Sequence, residues 1–413
     1  MAYVFEKNAS AAEVDAFVTE HPQNNLFQCS EWAEVKNNWD HYLTCVKEDG
    51  RIVASALVLV RRLPMKVSLF YIPRGPVMDY HNEALVRFYL DRLKELAVSE
   101  HAFAIRFDPN VFSRVYPFAQ KDEPHPFENT DVIEWLKAYG AQHKGYTVMI
   151  EEATQPRFNA SMECTPDYYS RLDHKVRQSC STALKKGAKL YEGHEYIHDF
   201  AQAMHYTETR KGVALRTEEY FRHMCDVYKD RCIVMVVKLN FAEEISRLEN
   251  EIREAQEGIE NTPYKKQKNA LQQKLKNAQN DLEKLQADRD REGKDEVILA
   301  GKLAIYNKNR MEFVYMGNNA DYMRLRSSYL LYKTYLDICA EKGIRYVSMG
   351  GIEGTLDDGL TTFKSSWLMN VEEYIGEFNI VLNRPVYTAF DKVYPWVLKK
   401  AAQIRSGKKE SIH

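Results

Sequence analysis

Between residues 241 and 295 apolar side chains recur with a seven-residue period. Ile245, Leu248, Ile252, Ala255 and Ile259 are spaced 3, 4, 3, 4; after Asn261-Thr262-Pro263 the period returns at Leu271, Leu275, Ala278, Leu282 and Leu285, spaced 4, 3, 4, 3. Two heptad seams joined by a proline-bearing turn satisfy each other by folding back, so residues 241–295 predict an antiparallel coiled-coil hairpin inserted into a globular domain. Its arms differ in charge. Glu243 to Glu260 carries seven acids and two arginines, whereas Tyr264 to Asn280 carries five lysines and no acid. Two readings stay open: the arms attract each other and set the register, or Lys265, Lys266, Lys268, Lys274 and Lys276 contact RNA phosphates or anionic headgroups.

Both flanks read as α/β. Before the hairpin the pattern predicts a helix over Ala12 to Thr19, strands at His41 to Lys47, Ile52 to Val60 and Ser68 to Ile72, a helix over Glu83 to Val98 and a strand at Phe103 to Phe107. A basic helical stretch follows at Tyr168 to Lys189, then a helix at Glu218 to Tyr228 and a strand at Cys232 to Leu239. After the hairpin come strands at Val297 to Tyr306 and Glu312 to Met316, a helix over Leu325 to Glu341, a strand at Arg345 to Met349 and a run at Glu372 to Leu382. Two halves of similar rhythm predict a pseudo-duplicated two-domain α/β fold, although they share no sequence repeat.

The chain is large enough for this: 413 residues, 45% apolar and 12% aromatic, supply two real cores. Its 57 basic and 59 acidic residues nearly cancel, so no global field draws it to nucleic acid or lipid, and any such partner must use local patches. Seven scattered cysteines without a paired C-x-x-C predict reduced thiols, a cytoplasmic setting and no metal site. MAYVFEKNASAAEVDAF has no basic region followed by an apolar core, and no apolar run reaches the ~20 residues a bilayer requires.

The usual enzyme signatures are absent: no Walker loop, no G-x-G-x-x-G after a strand, no H-E-x-x-H and no G-x-S-x-G. Four segments stand out instead. In QCSEWAEVK, Trp32 and Lys36 share a helical face; in IPRGPVMDY, Arg74 lies between two prolines; in TRKGVALRTEEYF, Arg216 and Tyr220 are four apart at a helix start; in LTTFKSSW, Lys364 follows a glycine-rich loop and lies between Phe363 and Trp367. Each alone also has a plain structural reading: a core tryptophan, a turn arginine, a solvated helix charge, and a lysine whose stem lies on apolar surface with its ammonium in water.

In combination, WAEVK, IPRGPVMDY, a strand ending IRFDPN, the basic helix before KKGAKL, the R-x-x-x-Y pair, VYMGNN after the hairpin and the GL..FK element resemble the FemABX family of peptidoglycan aminoacyltransferases, almost end to end. The inserted arm resembles the FemA, FemB and MurM/MurN branches. The resemblance implies two domains like those of GCN5-related N-acetyltransferases: residues 1–152 with about 378–413, and 153–377, with the 241–295 hairpin inserted in the second. The nearest approach to a coenzyme A turn, Gln142 to Thr147, ends in Thr where a small residue is usual. The fold is therefore expected without that cofactor.

The resemblance further implies transfer of a small amino acid, Gly, Ala or Ser, from aminoacyl-tRNA as co-substrate to the stem-peptide amine of a peptidoglycan precursor. Lipid II is the expected acceptor over the UDP-linked pentapeptide, with peripheral contact at the inner face of the membrane. Carried over residue by residue, Lys36 and Arg216 bind the precursor's diphosphate, with Tyr220 and Tyr315 lining the same cleft, and Arg74 is a further substrate-binding residue. Lys364 places positive charge near the developing oxyanion or the terminal nucleotide, Phe363 stacks on the terminal adenine and Asp108 is the base. His205 and His223 are alternative bases. Ester aminolysis needs a neutral amine, approximation of the reactants and oxyanion stabilisation, but no covalent enzyme intermediate.

Three rival functions remain. A non-catalytic module would dock a partner through the hairpin; an aminoacyl-tRNA-protein transferase would need a peptide groove and no diphosphate clamp; an acetyltransferase would need an intact coenzyme A turn.

Overall fold

The computed structural model describes residues 2–211 and 216–392; the C-terminal part of the first expected domain, from 393, and residues 212–215 of the TRKGVALRT segment lie outside them. Two eight-stranded sheets organise the chain. The first runs Val4–Glu6, Asp40–Glu48, Arg51–Leu63, Val67–Ile72, Ala102–Phe107, Phe378–Val381, Gln142–His143, with Val77–Met78 paired onto Arg51–Leu63. The second runs Ala188–Glu192, Cys232–Asn240, Glu296–Asn307, Arg310–Asn318, Tyr346–Ile352, Phe158–Glu163, Asn370–Tyr374, Phe112–Pro117. Near-continuous apolar stretches such as Ala54 to Val60 and Val297 to Ile305 form central strands because helices cover both faces of each sheet.

The pseudo-duplication is one of topology. Each sheet is an antiparallel meander followed by one parallel pair, whose crossover contains the helix Glu83–Ser99 in one case and Ser327–Lys342 in the other. The two parallel pairs differ in length, and that difference opens a cavity. In the first sheet the pairing holds from Ser68 opposite Ala102 through Ile72 opposite Phe107. In the second it stops after Arg310, Met311 and Glu312 opposite Tyr346, Val347 and Ser348. Beyond that point the strands separate, and Phe313 to Met316 on one and Met349 to Gly351 on the other line the gap.

The run expected as a single strand at Glu372 to Leu382 is two strands in two sheets. Asn370–Tyr374 joins the second sheet and Phe378–Val381 joins the first. Between them Gly376 adopts φ +105, where a Cβ would stand 2.9 Å from His143 Nε2, so a side chain is excluded by both conformation and space. Conversely Phe112–Pro117, from the N-terminal half, forms the edge of the second sheet. The basic stretch also divides, into helices Tyr168–Arg171 and His174–Lys185 and the strand Ala188–Glu192, because Gly187 (φ +78) ends the helix.

The hairpin forms as its heptads require. Phe241–Asn261 and Lys265–Glu292 pack along the seam, with Leu248, Ala255, Ala278 and Leu285 buried and the other seam residues half-buried. At the root its apolar residues merge with the core of the second sheet, and the Phe241 N–H donates to the Asp295 carbonyl at 2.8 Å. Among the described ion pairs one, Lys274 to Glu251 at 3.7 Å, joins the arms, and Lys265, Lys266, Lys268 and Lys276 are exposed. No helix among the described residues is long and apolar enough to cross a membrane. The helices Ile197–Lys211 and Glu218–Tyr228 pack with Ser30–Val35 in an apolar layer shared by both sheets, containing Trp32, Leu57, Phe200, Phe221 and Leu303.

Candidate active site

Lys364 lies in the helix Gly359–Ser365, which Asp358 caps by accepting the N–H groups of Leu360 and Thr361 at 2.7 and 3.1 Å. Of the acidic pair Asp357-Asp358 that follows the glycine-rich loop, Asp358 thus serves as a helix cap. Lys364 is not a surface residue with its ammonium in water: it is 4% exposed, and Nζ donates to the Gly350 and Gly351 carbonyls at 3.0 and 2.8 Å. Gly350 adopts φ +84, a conformation that turns these carbonyls inward and disfavours other residues. Phe363 stands edge-on to Tyr329 and Tyr332, with centroids 5.0 and 4.8 Å away, and Trp367 is fully buried behind it. Lys364 and Phe363 line the gap between the separated strands, a cavity of about 730 Å³ that also contains Tyr315, Arg210, Arg326 and Lys302.

A second cluster forms at the Ser30–Val35 helix. Lys36 Nζ donates to the Tyr220 hydroxyl at 3.2 Å and lies 4.7 Å above the Trp32 ring. The Arg216 guanidinium sits 5.0 Å from the Tyr220 ring, and Tyr220 meets Tyr315 edge-on at 6.3 Å. Burial, reinforced by the Arg216 charge, lowers Lys36 to about 8. Among the described ion pairs neither cation has an acid partner, and two cations so placed suit an anion with more than one charge. Tyr315 belongs to both places: it touches Tyr220 and lines the Lys364 cavity.

Arg74 and Asp108 lie apart from these clusters. Arg74 adopts φ +51, donates from Nη2 to the Pro156 carbonyl at 2.6 Å and stacks 3.6 Å from the Tyr374 ring, fastening the first sheet's loop to the second sheet. Asp108 is 3% exposed; its Oδ1 accepts the Arg74 N–H at 3.0 Å, whereas Oδ2, beside Tyr71, makes no well-formed hydrogen bond. Burial pushes this carboxyl up to about 7 against the pull of Arg74. Neither residue lines the Lys364 cavity. His223 Nε2 donates to the Glu34 carbonyl at 2.8 Å at the surface, and His205 pairs with Glu208 at 3.2 Å; neither lines the cavity.

Lys302 belongs to none of the motifs above. Its signal was a single charge inside an otherwise apolar strand, VILAGKLAIY. A wider cavity of about 840 Å³ adjoins the first at Arg326, Tyr329 and Ser366 and contains Arg171 and Lys175 from the basic stretch. Two groups bring three potential metal ligands within 4.8 Å of one another, His194 with Cys225 and Cys232, and Asp15 with Cys29 and Glu31; none of these residues lines the cavity.

Comparison with known proteins identifies the family of the chain. Residues 9–394 match the FemAB family. The chain is 29% identical over 421 residues to a lipid II:glycine glycyltransferase of Staphylococcus aureus strain USA300, covering 95% of this chain and 96% of that protein. The same-named protein of strain Mu50 is 28% identical over the same shares. Among solved structures, that of FemX superimposes with a TM-score of 0.70 at 27% identity, covering 94% of this chain and 99% of the other.

Proposed function

We propose, from the premise that this chain belongs to the FemAB family, that it transfers glycine from aminoacyl-tRNA to the stem-peptide amine of lipid II. The chain is an aminoacyltransferase of peptidoglycan assembly with the two-sheet, acetyltransferase-like α/β fold of that family. Glycine and lipid II follow the names of the relatives.

The observation that carries the reading is the continuity of two cationic places through Tyr315. On one side Lys36 and Arg216, set against Tyr220, suit a diphosphate, the charged group of a lipid-linked or nucleotide-linked precursor. On the other, Lys364 is rigidly placed at the rim of a cavity large enough for an aminoacyl-adenosine terminus, where a fixed positive charge favours a tetrahedral oxyanion. Phe363 offers an aromatic face for the terminal base. The donor ester is already activated, so positioning and electrostatics suffice. A lipid-linked acceptor brings the protein to the inner membrane surface as a peripheral visitor.

The test is transfer of radiolabelled glycine, alanine and serine from charged tRNA to purified lipid II and to the UDP-linked pentapeptide, comparing the unaltered protein with Arg216→Ala and Lys364→Ala. Glycine moving to lipid II, with collapse in both variants, is the expected result. Absence of transfer to either acceptor, including one already carrying a first added residue, would sink the reading and return weight to a docking role for the hairpin.

A further inference from the structure

The Lys364 cavity is lined by Lys302, Lys364, Arg210 and Arg326, and among the described residues by no aspartate or glutamate. Such a chamber attracts anions and stabilises an oxyanion, yet the reaction also requires that an ammonium lose a proton before it attacks. A carboxylate is the ordinary acceptor, and the described residues of the wall supply none.

Lys302 is the unusual member. It lies on the central strand Glu296–Asn307, 1% exposed, with Met235 and Met316 as cross-strand neighbours. The register with the strand Arg310–Asn318 shifts just after it, between Leu303 and Ala304, a bulge of the kind that re-aims side chains beside active sites. Its Nζ sits in an aromatic cage, 3.8 Å from the centre of Phe313, 4.1 Å from Tyr332 and 6.0 Å from Tyr335, and its hydrogen-bond partner is the Met316 sulfur at 4.0 Å. The groups with protons to exchange that face it are Lys364 from the Gly359–Ser365 helix, and Tyr332 and Tyr335 from Ser327–Lys342; the Tyr335 hydroxyl already donates to the Lys302 carbonyl at 2.7 Å.

An ammonium buried without a carboxylate is costly, and three aromatic faces offset only part of that cost. Burial first, and the Lys364 charge second, therefore hold Lys302 well below the usual lysine range. The pair divides the work: Lys364, fixed by two carbonyls, supplies the charge, and Lys302, facing rings and sulfur, supplies a lone pair.

We propose that Lys302 is the proton acceptor of the transfer step, a catalytic residue whose ε-amino group takes the proton that the incoming stem-peptide ammonium must lose; the proposal rests on the aminoacyl-transfer reading above. The ammonium gives one proton to Lys302 Nζ, and the freed nitrogen lone pair forms the C–N bond at the ester carbonyl carbon. The carbonyl electron pair moves to oxygen beside Lys364. Collapse breaks the bond to the ribose oxygen, which leaves with the electron pair and takes the second proton from the new cationic nitrogen. The products are an amide and a free ribose hydroxyl, and Lys302 returns its proton to solvent, so one proton is released per transfer.

The experiment is the pH profile, from 6 to 9.5, of glycyl transfer by the unaltered protein, Lys302→Met and Lys302→Arg. At pH 7 Lys302→Met is expected to lose kcat by about 10²- to 10⁴-fold, the range of general-base contributions, with KM for both substrates changed by less than about threefold. Its deficit should shrink as pH rises, because an unassisted lysine-like acceptor amine, with a pKa of about 10.4, increasingly deprotonates by itself. Lys302→Arg, permanently charged, should show the same deficit. A kcat within fivefold of the unaltered protein, or a deficit constant across pH, overturns the proposal. Because either variant could fold poorly, competitive labelling of the unaltered protein with acetic anhydride, read by mass spectrometry from pH 6 to 10, gives the protonation of Lys302 directly. Lys302 charged up to pH 10 overturns the assignment. No transfer by the unaltered protein overturns the aminoacyl-transfer reading itself, whereas normal transfer by Lys302→Met overturns the base alone.

Discussion

Lys36 Nζ lies 3.2 Å from the Tyr220 hydroxyl, bridging two helices that stand 184 residues apart in the chain. The bond places one cation from the N-terminal half beside Arg216 from the C-terminal half, so this cationic pair exists only when the shared apolar layer of Trp32, Phe200 and Phe221 has formed. Assembly of the fold and assembly of the cationic pair are one event.

The first prediction concerns pH. Lys36, held at about 8 by burial and by Arg216, must carry its proton to pair with a diphosphate, and a bound diphosphate raises its pKa again. Affinity is therefore full below about 8 and is lost as pH rises above that value, with proton uptake on binding. Calorimetry of the UDP-linked pentapeptide should show Kd rising roughly tenfold from pH 7.5 to 9. Lys36→Met should bind more weakly at pH 7.5 and lose the slope; a slope kept in that variant would remove Lys36 from the clamp.

Lys364 allows structure and charge to be separated. Lys364→Met keeps the stem but leaves the Gly350 and Gly351 carbonyls without its ammonium, which should cost about 1–3 kcal/mol of stability. If the ammonium also faces the oxyanion, kcat should fall about 10²- to 10³-fold. Thermal melting and single-turnover transfer separate the two: a lower Tm with an unchanged single-turnover rate would reduce Lys364 to a structural residue.

Asp108 tests the division between holding and reacting. Its carboxyl, pushed by burial up to about 7 in the folded protein, sits near 3.9 when unfolded. Between those values the unfolded chain binds fewer protons than the folded one, so this residue's contribution to stability falls as pH rises from about 4 to 7. Asp108→Asn preserves an acceptor for the Arg74 N–H and removes the charge. Its Tm relative to the unaltered protein should improve from pH 4.5 to pH 8, with kcat kept within about fivefold. A 100-fold loss of kcat at an unimpaired Tm would make Asp108 the base after all.

Much of this was legible in the sequence because local rules carried it. The hairpin seam needed only a period, and every seam residue predicted from the heptads is buried or half-buried. Trp32, Lys36, Arg216 and Tyr220 were each visible, and the structure brings them together. What stayed hidden depends on long-range pairing. The run at 370–381 has one apolar rhythm, and only Gly376 marks where it changes sheet. The cavity arises where the second parallel pair ends after three residues, a register that no local pattern encodes. Lys302 was hidden for a related reason, since an isolated lysine in an apolar strand acquires meaning only when Phe313, Tyr332 and Lys364 converge on it.

The hairpin should divide into a root that the fold requires and a tip that it does not. Leu285 is 6% exposed and continuous with the core of the second sheet, whereas Leu271, near the turn, is half-buried and packs across to Gly258. The root is also tied to the cavity wall: Tyr322, which lines it, donates to Glu292 at 2.9 Å and accepts from Arg291 at 3.1 Å, and Arg324 pairs with buried Asp288. Leu285→Ala should therefore cost about 2–5 kcal/mol, the range for deleting a buried leucine side chain, and depress transfer as the wall loosens. Leu271→Ala should cost roughly half as much or less, because its methyls already meet solvent. Chemical denaturation of both variants, paired with transfer assays below the midpoint, checks the division. Equal costs would mean that the arm unfolds with the domain as one unit, and a transfer defect confined to Leu271→Ala would place a working surface at the tip instead.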